Sequence, residues 1–154
     1  MTDNLASAQN SGGRLTSSET ARFSGIDATI LMGGTNAPFS VMEMVVELGM
    51  GAPAHISRRE DKIFHISKGA FLFLVGDTRI EANEGDHVFV GQGQVHSFSA
   101  QGDGPARMTL VSTPANHDRF FRALSRLQTP HDLQDVETVC ANCDQQIVGP
   151  IVQG

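Results

Sequence analysis

The chain has 154 residues, a size that suits one domain, and its 40% hydrophobic content is enough for a real core. Only 18% of residues are charged, which excludes a protein dominated by long solvated helices. The net charge of −6 at pH 7 argues against nucleic acid or an anionic membrane as partner.

Residues 1–13, MTDNLASAQNSGG, are rich in Ser, Asn, Gln and Gly and are expected to be disordered. They have neither the basic start nor the apolar centre of a secretory signal. No apolar run approaches the roughly 20 residues of a membrane span. The expected location is the cytoplasm. From 14 to about 115 the sequence reads as many short strands. FSVMEMVVEL is the clearest, because Met42, Met44, Val46 and Leu48 share one face and should look inward, while Val41, Glu43, Val45 and Glu47 share the other. DATILMG precedes it, and PAHIS, KIFHIS, AFLFLVG, TRIEA, DHVFVG, VHSFSA and ARMTLVST follow. Gly-rich turns such as SKG, ANEGD and AQGDGP separate them. Short strands spaced by about 8–12 residues predict an antiparallel sandwich or barrel.

Residues 116–154 change character and predict a short helical tail. In NHDRFFRALSRL, Asn116 can cap a helix whose Phe120, Phe121, Leu124 and Leu127 recur at helical spacing. Pro130 ends it, HDLQDVETVCANC is a second helix, and QQIVGP is a possible last strand. The tail reads as a packing appendage with a solvated polar face. Cys140 and Cys143 form a lone CxxC. A four-ligand zinc site needs two further ligands, so they read as two plain thiols near a helix end.

Two stretches carry a family resemblance. Gly49, His55 and Gly69 stand at the spacing of the first cupin motif, G(x)5HxH(x)4E(x)6G, with Ser57 at its second His and Lys62 at its Glu. Gly85, Gly93 and His96 match the second motif, G(x)5PxG(x)2H(x)3N, with Gly91 for Pro and Ala100 for Asn. The chain thus resembles the cupins over about residues 20–115. The resemblance implies an all-β fold: a single jelly-roll-like β-barrel over 14–115 around a central pocket, followed by the helical appendage. It also implies a small-molecule substrate and a homodimer. In metal-binding cupins both motif-one His, the Glu and the motif-two His hold a divalent ion, so only His55 and His96 remain of that set.

A dication with two imidazoles is weakly held, since such ions take about three protein ligands plus water. An ammonium at position 62 would repel it by several kcal/mol at an effective dielectric of ~20. The expectation is therefore no cofactor; the alternative is one divalent ion on His55 and His96 with a non-standard third ligand. A one-residue slip would bring Asp61 to the Glu position, but Glu60 and Asp61 read as an exposed turn.

Parity sends Lys62, Phe64 and Ile66 inward and Ile63, His65 and Ser67 outward. It pairs His96 with Phe98 and His55 with Ser57. The expected catalytic set is His55 and His96 as acid and base with Lys62 as anion stabiliser or, when neutral, as a Schiff-base amine. Met42, Met44, Ser57, Phe64 and Phe98 are the expected substrate-binding wall. A quieter reading leaves the histidines bonded to each other or to water and lets Lys62 reach solvent. The chemistry expected is metal-independent isomerisation, cyclisation or dehydration of a small apolar oxygenated metabolite, as in family members that work without metal. The alternatives are a binding protein without turnover and a metal-dependent dioxygenase. His65 is placed outside or at a dimer seam, and His117 in the first turn of the tail helix.

Overall fold

The computed structural model describes residues 12–17 and 19–154; all but the last two residues of the segment expected to be disordered lie outside the described residues. In chain order the elements are β1 (Thr20–Phe23), β2 (Ile26–Met32), β3 (Ser40–Val46), β4 (Gly51–Ser57), β5 (Asp61–Lys68), β6 (Ala70–Val75), β7 (Thr78–Asn83), β8 (His87–Val90), β9 (His96–Gln101), β10 (Ala106–Thr113), α1 (Asp118–Ser125), α2 (Leu133–Asn142) and β11 (Gln145–Ile151). They form two antiparallel sheets, one ordered β1-β2-β3-β10-β5-β8 and the other β11-β4-β9-β6-β7. This is the expected jelly-roll-like arrangement. Motif glycines Gly69 and Gly85 occupy turns at φ +75° and +92°, a region that favours glycine.

Alternation drives the layering. β3 reads buried–intermediate throughout, with Ser40, Met42, Met44 and Val46 buried. β5 buries Lys62, Phe64 and Ile66 and turns Ile63 and Ser67 out. Register carries inward rows across the first sheet. One row runs Ile30, Met42, Leu110, Phe64, Val88, and the next runs Ser40, Ser112, Lys62, Val90. Facing them, Phe71, Phe73 and Phe98 from the second sheet complete the core. Leu48, expected inward, is exposed because β3 ends at Val46 and releases its parity.

The tail is tied into the barrel. β11 pairs with β4, setting Gln145 opposite Ser57 and Ile147 opposite His55. α1 lies against β1. Its fully buried Asp118 accepts from the Gly34 amide and bonds Arg122, which in turn bonds Glu19 at 2.8 and 3.0 Å. These polar groups are anchors rather than the solvated face expected from the sequence. His117, not Asn116, takes the N-cap position, without a capping hydrogen bond from its side chain.

Candidate active site

Between the barrel mouth and the tail helices lies a cavity of about 380 Å³, within the range of small-molecule pockets. Ile26, Pro53, His55, Lys62, Phe64 and Phe98 line it from the barrel. His117, Phe120, Phe121, Leu124, Val136 and Cys140 line it from the tail. The apolar stripe of α1 thus covers the mouth, which is what an amphipathic helix must do with that face.

Register opposes His55 to His96 on β4 and β9, and their ring centroids are 4.1 Å apart. Each ring is fixed by the carbonyl two residues before it. His55 Nδ1 donates to Pro53 O at 2.7 Å, and His96 Nδ1 donates to Gln94 O at 2.9 Å. In the neutral rings the lone pair therefore resides on Nε2. Lys62, 3% exposed, donates from Nζ to His96 Nε2 at 3.1 Å. Burial lowers the Lys62 amine to about 7, only partly offset by the charge of Glu60. Burial, then the neighbouring Lys62, pushes His55 down to about 3 and His96 down to about 2. The group that changes protonation near neutrality is thus the lysine, and the two imidazoles are neutral.

A second polar cluster adjoins the cavity, with His117 and Gln145 on its wall. Gln145 Nε2 donates to Glu60 Oε1 at 2.9 Å and to Cys143 O at 3.1 Å, while Ser57 Oγ donates to Gln145 Oε1 at 2.6 Å. His117 Nδ1 is buried without a hydrogen-bond partner, 3.6 Å from Glu60 Oε1, beyond normal hydrogen-bond range. Burial raises the Glu60 carboxyl and, reinforced by Lys62, lowers His117 well below the usual imidazole range. Both shifts favour the uncharged forms.

The sequence-derived site residues divide accordingly. His55, Lys62, Phe64 and Phe98 reach the cavity, and His96 sits directly behind Lys62 rather than on the wall. Three expectations are corrected. Met42 and Met44 do not line the cavity, because β10 intervenes between β3 and β5 and Leu110 takes the wall position. Ser57 faces Gln145 and is not on the wall. Glu60 is buried rather than exposed, and Asp61 Oδ1 accepts from the Gln92 amide at 2.9 Å. Sequence reasoning missed His117, Glu60, Gln145 and the tail's share of the wall. The apolar stripe of α1 was the available signal, since it had to cover something.

The residues present do not fit the divalent metal of the family's metal-binding members. The His96 lone pair that an ion would need accepts from Lys62, and Ser57 turns to Gln145. Among the described residues no group of three or more His, Cys, Asp or Glu side chains is arranged to hold a metal ion.

Comparison with known proteins agrees with the fold. The cupin-domain family model matches residues 42–112. No curated protein matches the chain. Among solved structures, that of the Streptomyces protein Pac13, described as a unique nucleoside dehydratase, is 19% identical, with 92% of this chain and 95% of that one covered at a TM-score of 0.60. A predicted oxalate decarboxylase from Thermotoga maritima is 20% identical over 65% of this chain and 97% of that one, TM-score 0.59. KdgF from Halomonas sp. is 16% identical over 71% and 99%, TM-score 0.57. The cupin-domain match over residues 42–112 and the fold shared with these structures support a small single-domain cupin.

Proposed function

We propose that this cupin is an enzyme that moves protons on a small, largely apolar, oxygenated molecule without a metal: an isomerisation, cyclisation or dehydration next to a carbonyl. One observation carries the reading. Lys62 Nζ is buried, faces an apolar cavity, and has His96 Nε2 as its hydrogen-bond partner instead of a carboxylate. Such an amine exchanges its proton near neutral pH and donates to a developing enolate oxygen where water does not compete. Lys62 takes the central acid–base role in place of the two histidines. Neutral His55, on the wall, accepts a hydrogen bond from a substrate hydroxyl. His96 is a positioning residue that acts through Lys62. Similarity in fold to a structure described as a nucleoside dehydratase supports this class of reaction.

The test follows solvent deuterium entering the α-positions of benzylacetone by NMR, with protein and a chelator at pH 7. Exchange above the buffer rate, lost in Lys62→Met and reduced in His55→Ala, is the expected outcome. Exchange that vanishes on chelation refutes the metal-free reading; equal exchange in Lys62→Met refutes the role of the amine. We further propose a cytoplasmic homodimer. Ile63 and Phe89 are register partners on the outer face, 46% and 63% exposed, and association would cover them; light scattering tests it.

A further inference from the structure

Lys62 and His96 together offer more than proton transfer. We propose that Lys62 is a covalent carbonyl-capturing residue: its Nζ, held against His96 Nε2 inside the apolar cavity, forms a Schiff base with an aldehyde or ketone that bears an α-hydrogen. The inference rests on the proposed reading that Lys62 faces the substrate, and it narrows the substrate class to free carbonyl compounds.

The geometry supplies what the reaction needs. An amine attacks only through its lone pair, so a lysine nucleophile requires desolvation and a place to put its proton. Lys62 is 3% exposed and donates to a neutral imidazole at 3.1 Å. His55, His96, His117 and Glu60 are the titratable groups acting on it or taking up its field. None forms an ion pair that would lock it as an ammonium, since among the described residues no salt bridge includes it. Its burial on the wall of the apolar cavity disfavours the charged form.

The step balances without a cofactor. Loss of one ammonium proton to water exposes the nitrogen lone pair, while His96 Nε2 accepts a hydrogen bond from a remaining N–H. The pair attacks the carbonyl carbon, the C–N bond forms, and the C=O π pair moves to oxygen. That oxygen collects the proton returned from water and a second one from nitrogen. The C–O bond then breaks and water leaves, giving the protonated imine. In sum, an ammonium and a carbonyl become an iminium and one water, with no change of oxidation state. The iminium acidifies the adjacent C–H. Where the β-carbon bears a hydroxyl, loss of that proton and of hydroxide, which departs as water, yields the conjugated iminium. Hydrolysis then frees the lysine.

The sequence provides an internal control, because Lys62 and the exposed Lys68 are its only lysines. Full-length protein is incubated with hydrocinnamaldehyde, sodium cyanoborohydride and a chelator at pH 7, then examined by intact mass and peptide mapping. The expected result is a covalent gain equal to the aldehyde less one oxygen, at Lys62 about tenfold or more faster than at Lys68. Lys68→Arg should keep the adduct, and Lys62→Arg should lose it while remaining folded by circular dichroism. Adducts confined to Lys68 and the amino terminus overturn the inference, and this wild-type result needs no variant. If benzylacetone exchanges its α-protons but Lys62 is never labelled, covalent capture is wrong and the proton-transfer reading survives. If Lys62 is labelled without any exchange, it is the proton-transfer reading that fails.

Discussion

Replacing Lys62 with methionine should make the protein more stable. Methionine is unbranched and one heavy atom shorter than lysine, and it suits a cavity walled by Phe64, Phe98 and Leu110. The amine falls from 10.5 in the free residue to about 7 in the fold because burial disfavours its charge. A gap of roughly three and a half pH units, at about 1.4 kcal/mol each, sets the full cost at about 5 kcal/mol when the fold must hold an ammonium. At pH 7 half the amines are already neutral, leaving about 4 kcal/mol. Losing the hydrogen bond from the amine to His96 removes about 1 kcal/mol of that gain. Lys62→Met should therefore gain about 2–4 kcal/mol at pH 7, in line with replacements of other buried charges. Between about pH 7 and 10.5 the unfolded chain binds more protons at this site than the fold, so wild-type stability rises with pH there. The advantage of the variant is largest below pH 7 and shrinks as the pH climbs towards 10.5. Urea unfolding of both proteins at pH 6, 7, 8 and 9 measures it. A variant that is less stable than wild type at pH 6, or a difference that does not change with pH, refutes the placement of a desolvated amine in this cavity.

Other outcomes follow from the same geometry. In Lys62→Met the imidazoles of His55 and His96 should titrate higher than in wild type, because the lysine charge is the second cause of their depression; proton NMR of the ring Hε1 signals reads this directly. Glu60→Gln should stabilise the fold above neutral pH and matter little near pH 4, since burial raises this carboxyl and its ionised form carries the cost; thermal melts across that range decide. Gly51→Ala should cost about 3 kcal/mol or more, because a Cβ there would lie 1.9 Å from the Phe98 carbonyl oxygen and force β4 from β9; a variant with a wild-type melting temperature refutes that close approach. Lys62→Glu joins a carboxylate to two imidazoles and should bind one divalent ion by calorimetry, where wild type binds none; a folded variant without affinity shows that the ammonium is not what excludes the metal.

The strands were legible because their period is local. In DKIFHISK the alternation alone sends Lys62, Phe64 and Ile66 to one side, and the fold keeps that parity. The motif resemblance brought His55 and His96 to one pocket, although the pairing of β4 with β9 is a tertiary fact. What could not be read was strand order. Met42 and Phe64 share an inward row, yet Leu110 of β10 separates them, and of that row Leu110 and Phe64 reach the cavity. Nor does sequence show the return of the tail. His117, more than fifty positions beyond Glu60, comes within 3.6 Å of it only because α1 folds over the mouth and β11 adds to β4. The electrostatics of the histidines lie beyond the sequence for a related reason, since the effect of a lysine 3.1 Å from one of the rings depends on a distance.

The amine and a metal are mutually exclusive occupants of this pocket for a simple reason of donors. Imidazole offers one lone pair, and a metal–nitrogen bond of about 2.0–2.1 Å would require it outright. Here the Nε2 lone pair of His96 is already engaged by Lys62, at a distance that suits a proton between two nitrogens. A carboxylate at position 62 would bring charge opposite to the ion; an ammonium brings the same charge into a site of low dielectric. The exchange of one residue thus converts the same two histidines from ligands into neutral acceptors, with the cavity wall still built from Phe64 and Phe98. A buried lysine without a carboxylate partner is a standing cost to the fold, and nothing in the packing of the barrel requires it. Its position on the wall of the cavity, held by an imidazole that accepts its hydrogen bond, gives that cost a chemical use.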